Sequence, residues 1–477
     1  MIRTQNQAAP AGDARINAKT WRMCWVIVFG AFASGLDTSL VNIGLDTISR
    51  DLNSALSLTQ WVASAYLLAL ALSLPLAGWL GRRFGTGRVW LVALALFTVA
   101  SGLCAISPNI SMLIVARVLQ GLAGGLLIPA GQTLLGQAVG PERLGRVMAT
   151  LGIAVSAAPA IGPLVGGAIL QHLPWPWLFA INLPIGLIGL VLGLRYVPRG
   201  TPTPGVNLDK RGLALISLGL PLIVFAVTKW GDSGTFTARV VVTAFLGTGA
   251  LTGFVIRARR ASHPLLDMRL YRIPAYRAGS IAAFFSGALV FGSGIVQTLY
   301  FQLGRHLDMV HTGLSLLGVA GATAVIATLT GKWIDRYGPA PVSLIGSVVA
   351  IVTTAPFVFM PVDAPIWATQ PLLIGYGAAV SLVAMPAGIA AYKAVSTDEL
   401  PDAITQVNIL QRVGGSLGGA VCAVLIAARL PNAQNSFHAS FGALLVGSFG
   451  ALAGAILILR STPPRQDRAK AHGRRHL

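Results

Sequence analysis

Charge is scarce in this chain. Only 10% of its 477 residues are Asp, Glu, Lys or Arg, against about 25% in a soluble domain. That excludes an ordinary water-facing surface over most of the sequence. Acidic residues are scarcer still, 15 against 35 Lys and Arg. Cysteine is limited to Cys24, Cys104 and Cys422, each in an apolar segment and none in a CxxC pair. A disulfide framework and a zinc site are therefore not expected. No Ser/His/Asp grouping, paired catalytic carboxylates or phosphate-cradling Gly loop with Lys is present; Gly121-Leu-Ala-Gly-Gly125 falls inside an apolar run and reads as a packing face. Neither an enzyme nor a metal or other cofactor is expected. Polar stretches reach only about twenty residues, too short for a soluble domain. No cleavable signal peptide is expected either, because the first apolar run, from about Trp25, is too long and others follow it.

What is abundant is apolar sequence, 54% of the chain. Runs of about 18 residues or more, the length that crosses a bilayer, recur throughout. They place spans at about 23–45, 58–80, 89–107, 111–136, 146–170, 177–195, 211–229, 237–257, 278–303, 312–333, 341–360, 366–391, 403–429 and 437–459. The expectation is an all-α integral membrane protein with 14 transmembrane helices. Residues 1–22 and 460–477 read as polar tails, and 258–277 as a basic loop.

The formal charge of +20 is spread over short loops and tails. A nucleic-acid binder would gather it into one patch, so no nucleic-acid partner is expected. Membrane orientation accounts for it better. With the N-terminus in the cytoplasm and the spans alternating, cytoplasmic segments hold 28 of the 35 Lys and Arg, as the positive-inside rule requires. Only Arg50, Lys229, Arg239, Arg305 and Arg429 fall outside, and Arg117 and Arg412 lie within spans. Both termini are predicted to be cytoplasmic, in a multi-pass protein of the inner (plasma) membrane.

The chain also repeats itself. Gly78-Trp-Leu-Gly-Arg82-Arg83-Phe-Gly85 follows the second span, and Gly331-Lys-Trp-Ile-Asp335-Arg336-Tyr-Gly338 follows the tenth. Two six-helix halves are expected, 23–195 and 278–459, with two extra helices at 211–257 between them. Repeats of this kind are typical of secondary transporters, and these loops are the candidate gates.

Ionisable groups inside spans are costly and usually functional. Asp37 lies about fifteen residues into the first span, roughly 22 Å along it. Arg117 falls at a similar depth in the fourth, so the two can pair. A buried carboxylate beside an arginine can exchange a proton as its surroundings change; the plainer alternative is a fixed salt bridge. Arg412, near Asn408 and Gln411 and ahead of Gly414-Gly415, either binds an anionic group or hydrogen-bonds backbone carbonyls. Asn42, Tyr66, Gln120, Gln297, Tyr300 and Asn408 complete the candidate cavity residues; such groups also serve as helix glue or interface anchors. In the fifth span, Gly152–Gly167 carries Pro159, Gly162, Pro163, Gly166 and Gly167. Pro163 has no N–H, so a bend is expected there, and the glycines leave a bare face for close packing.

With these residues the chain resembles the major facilitator superfamily, and within it the fourteen-span drug:proton antiporters. Leu36-Asp37-Thr-Ser-Leu-Val-Asn42 is similar to the first-helix signature. Arg117-Val-Leu-Gln-Gly121 with Gly124 and Gly125 is similar to the fourth-helix motif, whose arginine the family implicates in proton transfer. The run ending Gly162-Pro163-Leu-Val-Gly166-Gly167 is similar to the fifth-helix antiporter motif. Trp175, Trp177, Phe179 and Ile181-Asn182-Leu-Pro-Ile-Gly186 match the opening of the sixth span. Pro264-Leu-Leu-Asp267 and Gln411-Arg412-Val-Gly414-Gly415 are further matches. The sequence departs from the pattern at Ala158, Pro176, Asp46 and above all Arg82, which stands where the family carries an Asp that steadies the outward-open state.

The resemblance implies proton-coupled efflux of small, lipophilic or cationic compounds by alternating access. Spans one, four, nine and twelve would line a midplane cavity, and Asp37 and Arg117 would couple it to protons. The proton gradient would supply the energy, and the protein would act as a monomer, alone or with envelope efflux partners. The alternative is a proton-coupled transporter or exporter of one metabolite such as an amino acid, sugar or siderophore.

Overall fold

In hydrocarbon, backbone polar groups have no water to bond, so a spanning chain closes its hydrogen bonds locally as helices. The computed structural model describes residues 17–461 apart from 141–142, 204, 206, 262–263 and 428–432; side chains at 42, 56–57, 154–157, 159–160, 163–164, 228, 231–233, 309–310 and 433 are also outside that set. Among the described residues all regular structure is helical. In chain order the long helices are α1 (Ala18–Asp51), α2 (Trp61–Ser73 and, past a 55° bend, Leu76–Phe84), α3 (Thr86–Ala105), α4 (Ile110–Val139) and α5 (Leu144–His172). Then come α6 (Asn182–Tyr196), α7 (Lys210–Ser233), α8 (Ala238–Arg260), α9 (Pro274–Leu299, prolonged by a π turn), α10 (Met309–Tyr337), α11 (Pro339–Thr354), α12 (Ile366–Lys393), α13 (Leu400–Ala427) and α14 (Ala433–Ser461).

Twelve described helices are long and apolar enough to cross a bilayer, and the bent α2 makes a thirteenth. The sequence count was fourteen. The difference is α5, whose 29 residues suffice for a crossing at about 1.5 Å each, but of which only Leu144–Ile153 enters as a described apolar stretch. A bend is expected at Pro163; the backbone there stays within the one helix Leu144–His172, while the Pro163 side chain is outside the described set. The span predicted over 58–80 is broken in the structure, because Pro75 has no N–H for the carbonyl of Ala71.

The two sets α1–α6 and α9–α14 pack alike. In the first, α1 lies on α5 and α6, α2 on α4, and α3 on α4 and α6. In the second, α9 lies on α13 and α14, α10 on α12, and α11 on α12 and α14. The pair α7–α8 sits beside them, with α7 against α2 and α13. The glycines that close the repeated loops adopt matching backbone turns, φ 90° at Gly85 and 89° at Gly338, a region open to Gly but strained for other residues.

One end of the molecule carries the basic loops after α2, α8 and α10. There the core is continuous across both sets, with Leu134, Leu144, Ile334, Leu400 and Ile404 in one cluster. Toward the other end it forks. Val41, Leu113 and Phe179 pack within the first set, while Val296, Tyr300 and Phe437 pack within the second. Among the described residues the hydrogen bonds that cross between the sets all lie at the basic end: Arg82–Asp402, Gly145 and Arg146 to Asp335, and Asn408–Gln132. The described residues therefore enclose a cleft that is closed at the basic end.

Close helix contacts rest on small residues. A Cβ on Gly418 would come within 2.6 Å of the Ala288 carbonyl, and one on Gly414 would overlap the Phe284 carbonyl. Gly414→Val should therefore force α9 and α13 apart, at about 1–3 kcal/mol. The melting temperature of the detergent-purified protein should fall clearly. Gly294→Val, at a glycine with nothing within 4 Å of an added Cβ, should leave it nearly unchanged. Equal effects would mean that the α9–α13 contact does not depend on bare backbone.

Candidate functional site

Asp37 on α1 is completely buried, and every polar group that meets it donates. Arg117 Nη1 of α4 donates to Asp37 Oδ2 at 2.5 Å. Gln120 Nε2 of α4 and Asn182 Nδ2 of α6 donate to Oδ1 at 2.9 and 2.8 Å. Arg117 also donates from Nε to the Val62 carbonyl (2.9 Å) and from Nη1 to Gln120 Oε1 (2.6 Å), and Gln120 donates to Ser101 Oγ of α3 (2.7 Å). The guanidinium lies 4.1 Å from the Tyr66 ring centroid, a distance at which cation–π attraction is appreciable. Asp37, Tyr66, Arg117, Gln120 and Asn182 are none more than 1% exposed. A carboxylate out of water is tolerable only when paired and hydrogen-bonded, and this one has both.

The glycines of α4 make room for the cluster. A Cβ on Gly124 would stand 2.9 Å from the Tyr66 hydroxyl and 3.2 Å from Ser34 Oγ, and one on Gly125 would stand 2.5 Å from the Leu70 carbonyl. Bare backbone lets α2 close on α4, which slides Tyr66 beneath Arg117. The Tyr66 hydroxyl shares a hydrogen bond with Ser34 Oγ at 3.1 Å.

The glycine stripe of α5 packs on the helix that carries Asp37. A Cβ on Gly166 would meet Leu40 at 3.2 Å, and one on Gly162 would overlap Ser39. Ser39 Oγ donates to the Ala158 carbonyl at 3.3 Å, and the Ala158 methyl faces Gly35, where an added Cβ would lie 2.8 Å away. Ala158 thus fills a place that Gly35 vacates. Gly167 meets nothing within 4 Å; the side chains of Pro159 and Pro163 lie outside the described residues.

Two joints close the basic end. Asp335, at the end of α10, accepts from the backbone N–H groups of Gly145 (2.9 Å) and Arg146 (3.2 Å) in the first turn of α5. A carboxylate at a helix N-terminus is favoured by the unpaired N–H groups and the helix dipole. At the matching joint Arg82, at the end of α2, pairs with Asp402 in the first turn of α13. Each joint puts one carboxylate at a helix N-terminus. In one the acid comes from the loop, and in the other it belongs to the helix and the loop supplies the base. Gly331 lies against Gly145 and Ala149, and Gly78 against Pro401 and Asp402. Arg83 is exposed, and Arg336 lies over the Tyr337 ring at 5.2 Å.

The other cavity candidates divide. Asn408 donates to Gln132 Oε1 of α4 at 2.7 Å, forming the floor of the cleft, with Arg412 one turn beyond. Tyr300 instead donates to the Val362 carbonyl at 3.0 Å and sits among Phe301, Phe357, Phe437 and Phe441, away from the Asp37 cluster. Gln297 is buried on α9. The Asn42 side chain is outside the described residues. Sequence reading did not select Asn182, Ser101, Gln132 or Asp402 as site residues. Asn182 had a signal, an amide in the apolar run that opens the sixth span; Asp402, at the polar edge of a span, had none.

A sequence model of the Major Facilitator Superfamily matches residues 27–419. The chain is 33% identical over 418 residues to the multidrug resistance protein B homolog of Mycobacterium tuberculosis, covering 86% of this chain and 77% of that protein. It is 31% identical over 443 residues to the tetracenomycin C resistance and export protein of Streptomyces glaucescens, covering 90% and 80%. Among solved structures, the proton:xylose symporter XylE superposes with a TM-score of 0.66 at 12% identity, over 94% of this chain and 96% of that one. At that identity the likeness concerns the fold.

Proposed function

The chain belongs to the major facilitator superfamily, a family of membrane transporters and not of enzymes, and from that membership we propose that it is a proton-coupled efflux transporter of small lipophilic compounds. Similarity to proteins named for multidrug resistance and antibiotic export supports the outward direction. On this reading α5 is the fourteenth span, 23–195 and 278–459 are the two rocking halves, and 211–257 supplies the extra pair. The mirrored packing of α1–α6 and α9–α14 supports that division. The basic end faces the cytoplasm of the plasma membrane by its loop charges, so the described cleft opens outward.

The observation that carries the proton role is the isolation of Asp37. It is the one carboxylate at mid-span among 15 acids, and Arg117, Gln120 and Asn182 converge on its charge. A proton on Asp37 removes that charge and adds a donor. Asn182 Oδ1, buried and without a partner, is the acceptor that the new O–H requires once the amide turns. The change loosens α1 from α4 and α6. Because α1 also seats the glycine stripe of α5, whose first turn forms the joint with α10, protonation at the cluster biases the closure of the basic end.

The test uses everted membrane vesicles with an acidified interior. A fluorescent substrate should enter against its concentration gradient as protons leave, and a protonophore should abolish the uptake. Movement of substrate out of the vesicles together with protons would replace efflux by symport.

A further inference from the structure

Arg412 lies four residues beyond Asn408 on α13, and residues four apart share a helix face. Asn408 reaches across to Gln132 of α4, so the face bearing Arg412 is turned toward the first helix set. Four residues raise it about 6 Å above that hydrogen bond. This is the level where the core forks: Ile409 belongs to the shared cluster and Cys422 to the far-end one. Arg412 is partly exposed. Among the described residues no ion pair or hydrogen bond engages its guanidinium.

An arginine at membrane depth normally faces a partner or water. Among the described residues no acid in the cleft supplies the partner. Asp37 is enclosed at 0% exposure and already neutralised by Arg117, and Asp335 and Asp402 are held in the joints at the basic end. Among the described residues Arg412 therefore keeps a positive charge without a counter-ion. The next turn packs on α9, with the Phe284 backbone over Gly414 and the Phe291 ring over Gly415, and the exposed part of the Phe291 ring is the apolar surface beside it. A guanidinium fork matches a carboxylate, sulfonate or phosphate edge with two parallel hydrogen bonds.

We propose that Arg412 selects the cargo, and that the transported compounds are lipophilic acids, with an apolar body and one anionic group docked on Arg412. This deepens the efflux reading and rests on it. Lipophilic cations, which the sequence alone also admitted, meet a like charge and are rejected.

The test is binding to the purified protein in phosphatidylcholine nanodiscs, a bilayer without anionic lipid, read by fluorescence polarisation. The probes are dansyl-phenylalanine and its methyl ester, which differ by the one charge, with ethidium as the cation. The acid should bind about tenfold or more tightly than the ester. Arg412→Gln should remove that difference, and Arg412→Lys should keep part of it. Equal binding of acid and ester by the wild type, binding of neither, or tighter binding of ethidium overturns the proposal without recourse to any variant. An acid preference that survives Arg412→Gln overturns it too. Preference for the acid with no pH-driven transport would instead remove the efflux reading and leave the site.

Discussion

Asp37→Asn should eliminate pH-driven accumulation of substrate while leaving a folded protein in the membrane. With one proton exchanged per substrate, a step of one pH unit supplies about 1.4 kcal/mol, a tenfold concentration ratio. The variant should give a ratio of one. Asparagine keeps the shape and an acceptor oxygen for Gln120 and Asn182, but it cannot take up or release a proton. Its amide nitrogen faces Arg117 Nη1, so two donors meet where the parent has an ion pair. Removing one partner of a buried pair costs about 3–5 kcal/mol. The loss is softened here because Arg117 keeps the Val62 carbonyl, Gln120 Oε1 and the Tyr66 ring. Downhill substrate exchange should persist, which separates lost coupling from a collapsed carrier. Asp37→Ala, which also empties the acceptor site, should lose both. An accumulation ratio equal to the parent's would remove Asp37 from the proton path.

Much of this architecture is legible in the sequence because a bilayer imposes simple demands. Apolar runs must be about 18 residues or longer, loop charges must sort by side, and a charge inside a span must have a reason. Those demands alone bring out Asp37 and Arg117, and the structure places them 2.5 Å apart. Periodicity and composition cannot give the rotation of each helix about its axis. Tyr300 illustrates this: an aromatic hydroxyl within a span looks like a ligand contact, yet it is turned into a cluster of four phenylalanines and bonded to a loop carbonyl. Asn182 was missed for the converse reason. Its run matched a span opening, and only the approach of α6 to α1 brings it to Asp37. The break in α2 was written in Pro75, but the apolar run around it is long enough to hide it. Asp402 could not be found by depth at all, since its partner is 320 positions away.

That pair bears on the main departure from the family pattern, and Arg82→Asp is the variant expected to expose it. Arg82 stands where the resemblance expects an acid, and the carboxylate of this joint is Asp402, in the first turn of α13, where it meets the positive end of the helix dipole. Arg82 holds that carboxylate across the two sets and ties the end of α2 to α13. Arg82→Asp would set two carboxylates against each other on ground where Asp402 is buried, so the basic end should open. A reporter cysteine replacing Gln132, on the floor beside Asn408, should react with a maleimide added from that end about tenfold faster or more, since each 1.4 kcal/mol shifts a two-state equilibrium tenfold. The native cysteines are all buried and should contribute little. The decisive variant is the exchange Arg82→Asp with Asp402→Arg. It re-forms the ion pair with its two charges exchanged, and should return labelling toward the parent rate. Arg82→Ala, which removes the attraction without adding repulsion, should fall between. If the exchange labels as fast as the single reversal, the pair is a local contact and closure rests on the α5–α10 joint, where Asp335 alone would carry the charge.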